Sequence, residues 1–262
     1  MKIGVCRGLD DIRAMESAKN AGIDYFECGF GSLARFDDEK FNRSKEALEK
    51  INLPCIAANG FIPGDMKLVG DKVDYGAIEE YLDKGFQRAA SLGVKKIVLG
   101  SGSARSFDEG FSPEKAKEQI AYFLKEYASP KAKAVDCIIV LEPLRFGESS
   151  MIHKVGDGVE IAEMSGADNV FALADLYHVF GNNDSISGMR KFDGIVRHSH
   201  IAQPVKRVYP CSGDDDSVKY IYSEFLNTLS DIGCNTCSVE ARTDNFDEDI
   251  RNAVTLIRSI IV

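Results

Sequence analysis

DCIIVLEP, residues 136–143, is the most continuous apolar run among the strand-like segments of the chain, and it runs straight into a glutamate. A strand that is apolar on successive residues, rather than on alternate ones, is buried on both faces. That is the mark of a parallel strand covered by helices. Working outward from it, seven further segments have strand character: KIGVC (2–6), DYFEC (24–28), LPCIAA (53–58), KKIVLG (95–100), VFALAD (170–175), IVRHSHI (195–201) and NTCSVEA (235–241). Helical patterns lie between them. Leu9, Ile12, Met15 and Ala18 share one face before Gly22, and a helical stretch spans 38–50. Ile78, Leu82 and Phe86 mark another. Ser112-Pro113-Glu114 is a helix start with proline at the first position, a helix near 157–166 stops at Gly166, and a last one carries Ile250, Val254, Ile257 and Ile261. Eight strands separated by helices predict an α/β chain closed as a (β/α)8 TIM barrel, one domain over residues 1–262. The rival, a doubly wound open sheet, wants a glycine-rich first turn, and VCRGLDD has one glycine. GSGSARS (100–106) lacks the lysine and spacing of a phosphate loop and reads as a plain strand exit.

Composition excludes several functions. A net charge of −9 disfavours a polyanion partner, since binding phosphates needs a basic face. MKIGVCRG is too short of apolar residues for a signal peptide, and no run approaches the roughly 18 apolar residues of a membrane span. The seven cysteines are odd in number and sit mostly in strands, which fits buried thiols of a cytoplasmic protein. Cys234 and Cys237, three apart on a strand, point to opposite faces and form no redox pair.

The polar residues gather at the strand ends. Glu142 closes the fifth strand, Asp175 the sixth, His198 and His200 the seventh, and Glu240 the eighth, with His178 three residues beyond Asp175. A lone carboxylate at a strand end is usually a helix cap. Here four consecutive strands each bring a carboxylate or imidazole to the mouth where barrel active sites are built, and three of the four histidines fall in that arc. Glu142, Asp175, Glu240 and one of the histidines make a mixed oxygen and nitrogen set. It suits one divalent ion, Mn²⁺ first, with Mg²⁺, Co²⁺ and Zn²⁺ as alternatives. Such an ion stabilises the enediolate formed when a proton leaves a carbon beside a ketone, and Glu142 and Glu240 on separate strands would serve as base and acid.

At these residues the chain resembles the sugar isomerase/epimerase superfamily of xylose isomerase-like TIM barrels, the group of the D-tagatose and D-psicose 3-epimerases. The resemblance covers nearly the whole chain and is sharpest from the fifth strand on. It implies Glu142 of VLEP as a metal ligand, Glu148 of RFGE as a substrate contact, Asp175 as ligand and His178 as substrate contact in D-x-x-H, and His200 of RHSHIAQ as the ligating histidine. It further implies Arg207 as a substrate contact, Glu240 of SVEAR as ligand and acid/base group, and Glu27, near the end of the second strand, among the substrate-binding residues. Two departures stand out: Gln203 where the family has an acid after H-x-H, and Leu144-Arg145 where the epimerases have Asn-Arg. They leave the metal set intact and the particular ketose open.

The resemblance therefore implies a metal-dependent isomerase of carbohydrate metabolism, a ketose 3-epimerase or aldose–ketose isomerase acting on a small sugar. The competing reading is a metal-dependent dehydratase or lyase of a keto-inositol, dehydroshikimate or keto-sugar, which shares the enolate chemistry and differs in the fate of the β-hydroxyl. The endonuclease IV-type members of the superfamily need extra histidines after strands three and four, and those exits here read ANGF and GSGS. The apolar tail, Leu256 to Val262, together with the family pattern, suggests a homo-oligomer.

Overall fold

The computed structural model describes residues 1–261. Among them are eight strands, β1 (Lys2–Cys6), β2 (Tyr25–Gly29), β3 (Cys55–Asn59), β4 (Lys96–Leu99), β5 (Ile138–Leu141), β6 (Val170–Asp175), β7 (Val196–Ile201) and β8 (Thr236–Val239). They close into one barrel in chain order, all neighbours parallel, with β8 paired back to β1. The helices are α1 (Ile12–Asn20), α2 (Phe30–Arg35), α3 (Asp38–Ile51), α4 (Tyr75–Leu92), α5 (Gly102–Arg105), α6 (Pro113–Phe123), α7 (Ser129–Ala134), α8 (Val155–Ser165), α9 (Leu176–Gly181), α10 (Asp216–Asp231) and α11 (Phe246–Ile260). The expected barrel is the observed one.

Local chemistry sets the helix ends. Asp11, Asp37, Asp74 and Ser112 each accept the backbone N–H three residues on, capping α1, α3, α4 and α6. Gly93 and Gly166, in the left-handed region, end α4 and α8. Among the described residues no helix is long and apolar enough to cross a membrane.

The main core lies between strands and helices, where Ile97, Leu99, Ile139, Leu141, Ala172 and Ala174 face outward. The opposite face of the same strands fills the barrel, and it divides in two. On β4 to β6 it is apolar, with Val98, Val140 and Leu173 packed together. On β7, β8 and β2 it is polar, with His198, Ser238, Tyr25 and Glu27 all buried. Side chains alternate along a strand, so the residues two positions beyond Val140, Leu173, His198 and Ser238 also point inward. Those residues are Glu142, Asp175, His200 and Glu240. The β6–β7 register shifts between Ala172 and Leu173, and thereafter Leu173 pairs with His198 and Asp175 with His200. The irregularity sets both pairs on the inner face.

Three elements differ from the sequence reading. GSGSARS does not stay a plain loop: residues 102–105 wind into α5 and carry Arg105 into full burial. The helix α10 follows an aspartate-rich stretch, CSGDDDS, that masks its start, although Tyr222, Phe225, Leu226 and Leu229 are buried at helical spacing. The short α9 begins at Asp175 itself. At the C-terminus, Ile257 is buried and Leu256, Ile260 and Ile261 pack against the core, while Val262 lies outside the described residues. The apolarity of that tail is met by the chain's own barrel, so it gives no argument for an oligomer.

Candidate active site

The C-terminal mouth of the barrel brings together Glu142, Asp175, His200 and Glu240, whose nearest ligating atoms all lie within 4.8 Å of one another. Asp175 is bound by its role as the N-cap of α9: one oxygen accepts from the backbone N–H of Tyr177 (2.6 Å) and of His178 (3.2 Å). Its other oxygen, Oδ2, is buried and has no hydrogen-bond partner. It faces His200 Nδ1 at 3.9 Å, and the same nitrogen lies 3.0 Å from Glu142 Oε1 and 3.8 Å from Glu240 Oε2. Glu240 is the partly open member, with a quarter of its side chain exposed, so the cluster is reached from the mouth.

Three carboxylates around one imidazole perturb each other. Burial, with the Glu142 and Asp175 carboxylates adding to it, pushes the Glu240 carboxyl up to about 7 against the pull of His200 and Arg207. Burial would raise Glu142 as well, but His200 outweighs it and holds Glu142 below the ordinary carboxylate range. Burial alone would lower His200, whereas Glu27 and Glu142 hold it well above its usual value. A divalent cation fits this set on two grounds: the donors are hard oxygens with one imidazole nitrogen, and Asp175 Oδ2 is an orphaned buried acceptor.

The other expected residues surround the cluster. His178 is fully buried, and neither ring nitrogen has a hydrogen-bond partner. Its Nε2 is 3.9 Å from Asp175 Oδ2 and its Nδ1 is 3.9 Å from Glu148 Oε2, with Glu148 in the exposed loop after β5. Arg207 donates to Glu240 Oε2 at 2.8 Å and lies over the Tyr177 ring at 4.9 Å. Gln203, which departs from the family's acid, caps its own turn: its side-chain oxygen accepts from the backbone N–H groups of Val205 and Lys206. That turn presents Arg207 to the mouth, where Arg207 holds a left-handed φ of 54°.

Glu27, expected among the substrate-binding residues, is fully buried below the cluster. Its Oε1 accepts from His200 Nε2 (2.9 Å), and its Oε2 accepts from His198 Nε2 (2.9 Å) and Ser238 Oγ (2.6 Å). With both oxygens engaged inside the barrel, none faces the mouth.

Sequence reasoning also missed supporting residues. Arg105 donates to the carbonyls of Glu142 (2.7 Å) and Leu99 (3.4 Å) and to Ser149 Oγ (3.2 Å), pinning the turn that carries Glu142. Arg145 stacks 3.5 Å over Tyr177 and donates to the carbonyls of Tyr177 and Pro204, joining the loops after β5, β6 and β7. Gly100 leaves room for the Glu142 carboxylate, since a Cβ there would lie 2.2 Å from Oε2. A buried arginine in a serine- and glycine-rich stretch has no periodic signal. The alternating polar residues Thr236, Ser238 and Glu240, by contrast, were a visible sign that β8 turns a polar face inward.

Comparison with known proteins gives the family and the fold. The sequence pattern of a family described as xylose isomerase-like TIM barrel matches residues 15–260. The 2-oxo-tetronate isomerase of Haemophilus influenzae is 26% identical over 225 residues, covering 83% of this chain and 82% of that protein. Among solved structures, the D-psicose 3-epimerase of Clostridium cellulolyticum H10 with D-tagatose superposes with a TM-score of 0.83 at 18% identity, covering 100% of this chain and 99% of that one. The zinc-bound IOLI protein superposes at 0.75 with 19% identity, covering 100% and 98%. At these identities the solved structures establish the fold.

Proposed function

Because the chain belongs to the xylose isomerase-like TIM barrel family, we propose that it is a metal-dependent isomerase or epimerase that moves a proton on a carbon next to a ketone of a small sugar or sugar acid. The observation that carries the reading is the cluster of Glu142, Asp175, His200 and Glu240, with Asp175 Oδ2 left unpartnered beside it. These four residues hold the ion, Mn²⁺ by preference for hard oxygen donors. When bound, the ion polarises a carbonyl and its neighbouring hydroxyl oxygen and so lowers the cost of an enediolate.

The residues supply the rest. Glu142 and Glu240 reach the cluster from separate strands and serve as proton acceptor and donor on a substrate held between them. Arg207 holds Glu240 by one oxygen and offers its remaining N–H groups to substrate oxygens. His178, with both nitrogens unpartnered, takes a substrate hydroxyl on the other side, with Glu148 near it in the loop. We take 2-oxo-tetronates and ketoses as the first substrates to try, after the names of the Haemophilus influenzae relative and of the D-psicose 3-epimerase.

The test is Mn²⁺-loaded protein in D₂O with free ketoses, 2-oxo-tetronates, keto-inositols and phosphorylated sugars, followed by NMR. Deuterium entering the carbon next to the carbonyl, with product mass otherwise unchanged, supports the reading. Loss of one water from the product overturns it in favour of a lyase.

A further inference from the structure

Below the candidate ion site the barrel axis carries a continuous polar column, and its hydrogen bonds converge on Glu27. It begins at Lys96, at the N-terminal ends of the strands, where a cavity lined by Met1, Lys2, Ile56, Asn235 and Thr236 opens. The Lys96 ammonium is a donor without acceptor capacity. It donates to the carbonyl of Arg197 (2.6 Å) and to Thr236 Oγ1 (2.7 Å). The Thr236 hydroxyl, having accepted, turns its own hydrogen to His198 Nδ1 at 2.8 Å. His198 then carries its proton on Nε2 and donates it to Glu27 Oε2.

The same order follows from the other end. Glu27 turns its two oxygens to three groups that can donate, His200 Nε2, His198 Nε2 and Ser238 Oγ, and a carboxylate accepts only. Each imidazole nitrogen facing it must therefore bear a hydrogen. Ser238 gives its hydroxyl hydrogen to Glu27 as well and receives one from Tyr25 Oη at 2.8 Å. Tyr25 and Ser238 fit because residue 4 is glycine: a Cβ there would lie 2.1 Å from Tyr25 Cε2 and 2.7 Å from Ser238 Oγ.

We propose that Glu27 and Lys96 are positioning residues, which through this column keep a hydrogen on His200 Nε2, so that Nδ1, which shares its proton with Glu142 at 3.0 Å in the metal-free protein, is the nitrogen left free for an ion. The inference rests on the ion site proposed above. An ion that displaces the Nδ1 proton finds its lone pair aimed at the three carboxylates, because Nε2–H is held from below, so the column favours the ion without touching it. Partners of this kind, which orient a ligating histidine through its other nitrogen, are typically worth about 10- to 100-fold in metal affinity.

Two variants test it, Glu27→Gln and Lys96→Met, each read by Mn²⁺ affinity and by long-range ¹H–¹⁵N NMR of the histidine rings, the latter on metal-free and Zn²⁺-loaded protein. The glutamine keeps the volume of the side chain but must turn an N–H either to His200 or to the His198–Ser238 pair. Mn²⁺ binding is expected to weaken about 10- to 100-fold, with a disturbed tautomer on the ring the amide faces. Lys96→Met lies at the opposite end of the barrel from the ion and stays informative if the glutamine variant folds poorly. It is expected to release Thr236, bring His198 into a mixture of tautomers and weaken Mn²⁺ in the same direction. Unchanged tautomers in Lys96→Met, or a folded Glu27→Gln that binds Mn²⁺ as tightly as the native chain, overturn the proposal. Failure of the ion site itself is distinguishable, because the native chain would then bind no Mn²⁺ whatever its tautomers.

Discussion

Gly100→Ala separates the cost of a change to the fold from its cost to the site. Gly100 follows β4 directly, and a Cβ built there lies 2.2 Å from Glu142 Oε2 and 3.3 Å from its Cδ. The carboxylate must retreat by roughly 1 Å to reach van der Waals contact. The fold absorbs this, because the obstacle is the end of a side chain, and an off-rotamer glutamate costs about 0.5–1.5 kcal/mol. Alanine also removes freedom from the unfolded chain, a gain of about 0.4–1 kcal/mol where the backbone conformation allows it. The two nearly cancel. For the site, a displacement of that size is worth about 10²-fold in rate, or about 2.7 kcal/mol, with a loss of ion affinity in the same direction. The assay pairs thermal melting with Mn²⁺ titration calorimetry and turnover. The expected outcome is a melting temperature near that of the native chain with ion affinity and turnover sharply reduced. A well-folded variant that binds and turns over like the native chain refutes the assignment of Glu142 to the site.

Four further outcomes are expected. His178→Ala keeps the ion by elemental analysis but loses turnover, since its nitrogens lie 3.9 Å from the nearest cluster and loop carboxylates and make no bond to them. Glu240→Gln, with ion occupancy measured beside rate, loses about 10²- to 10⁴-fold in turnover as a general acid–base group would; full activity with the ion bound would leave Glu240 structural. Ion affinity depends on pH: protons compete for His200, which is held well above its usual value, and for Glu240, so Mn²⁺ binding weakens as pH falls, including through the value of about 7 to which the Glu240 carboxyl is pushed. In the metal-free protein Glu240 acts oppositely. A raised folded value contributes stability below the unfolded carboxylate range that is lost as pH rises through about 7, so melting of the metal-free protein falls there and added Mn²⁺ restores it.

The fold was legible because burial on both faces leaves a mark on every residue of a strand, as in DCIIVLEP, and because capping residues such as Ser112 stand at fixed positions. The four residues of the cluster were legible for a related reason: each is the inward-facing position at a strand's end, two beyond an inward-facing Val140, Leu173, His198 or Ser238. The surroundings of Glu27 were not legible, because its place along β2 does not tell whether its carboxylate reaches the mouth or is claimed by partners across the barrel, and those partners, His198 and Ser238, are 171 and 211 residues away in sequence. Arg105 escaped notice because its role is to satisfy backbone carbonyls of other strands, which no side-chain pattern records.

We propose that one divalent ion sits among Glu142, Asp175, His200 and Glu240, and anomalous diffraction from a crystal soaked in Mn²⁺ would locate it. The expected result is a single manganese peak bounded by an oxygen from each of the three carboxylates and by His200 Nδ1, with Glu27 still hydrogen-bonded to His200 Nε2 beneath it. A peak elsewhere in the molecule, a cluster of three ions at the mouth, or His200 turned to offer Nε2 would contradict it.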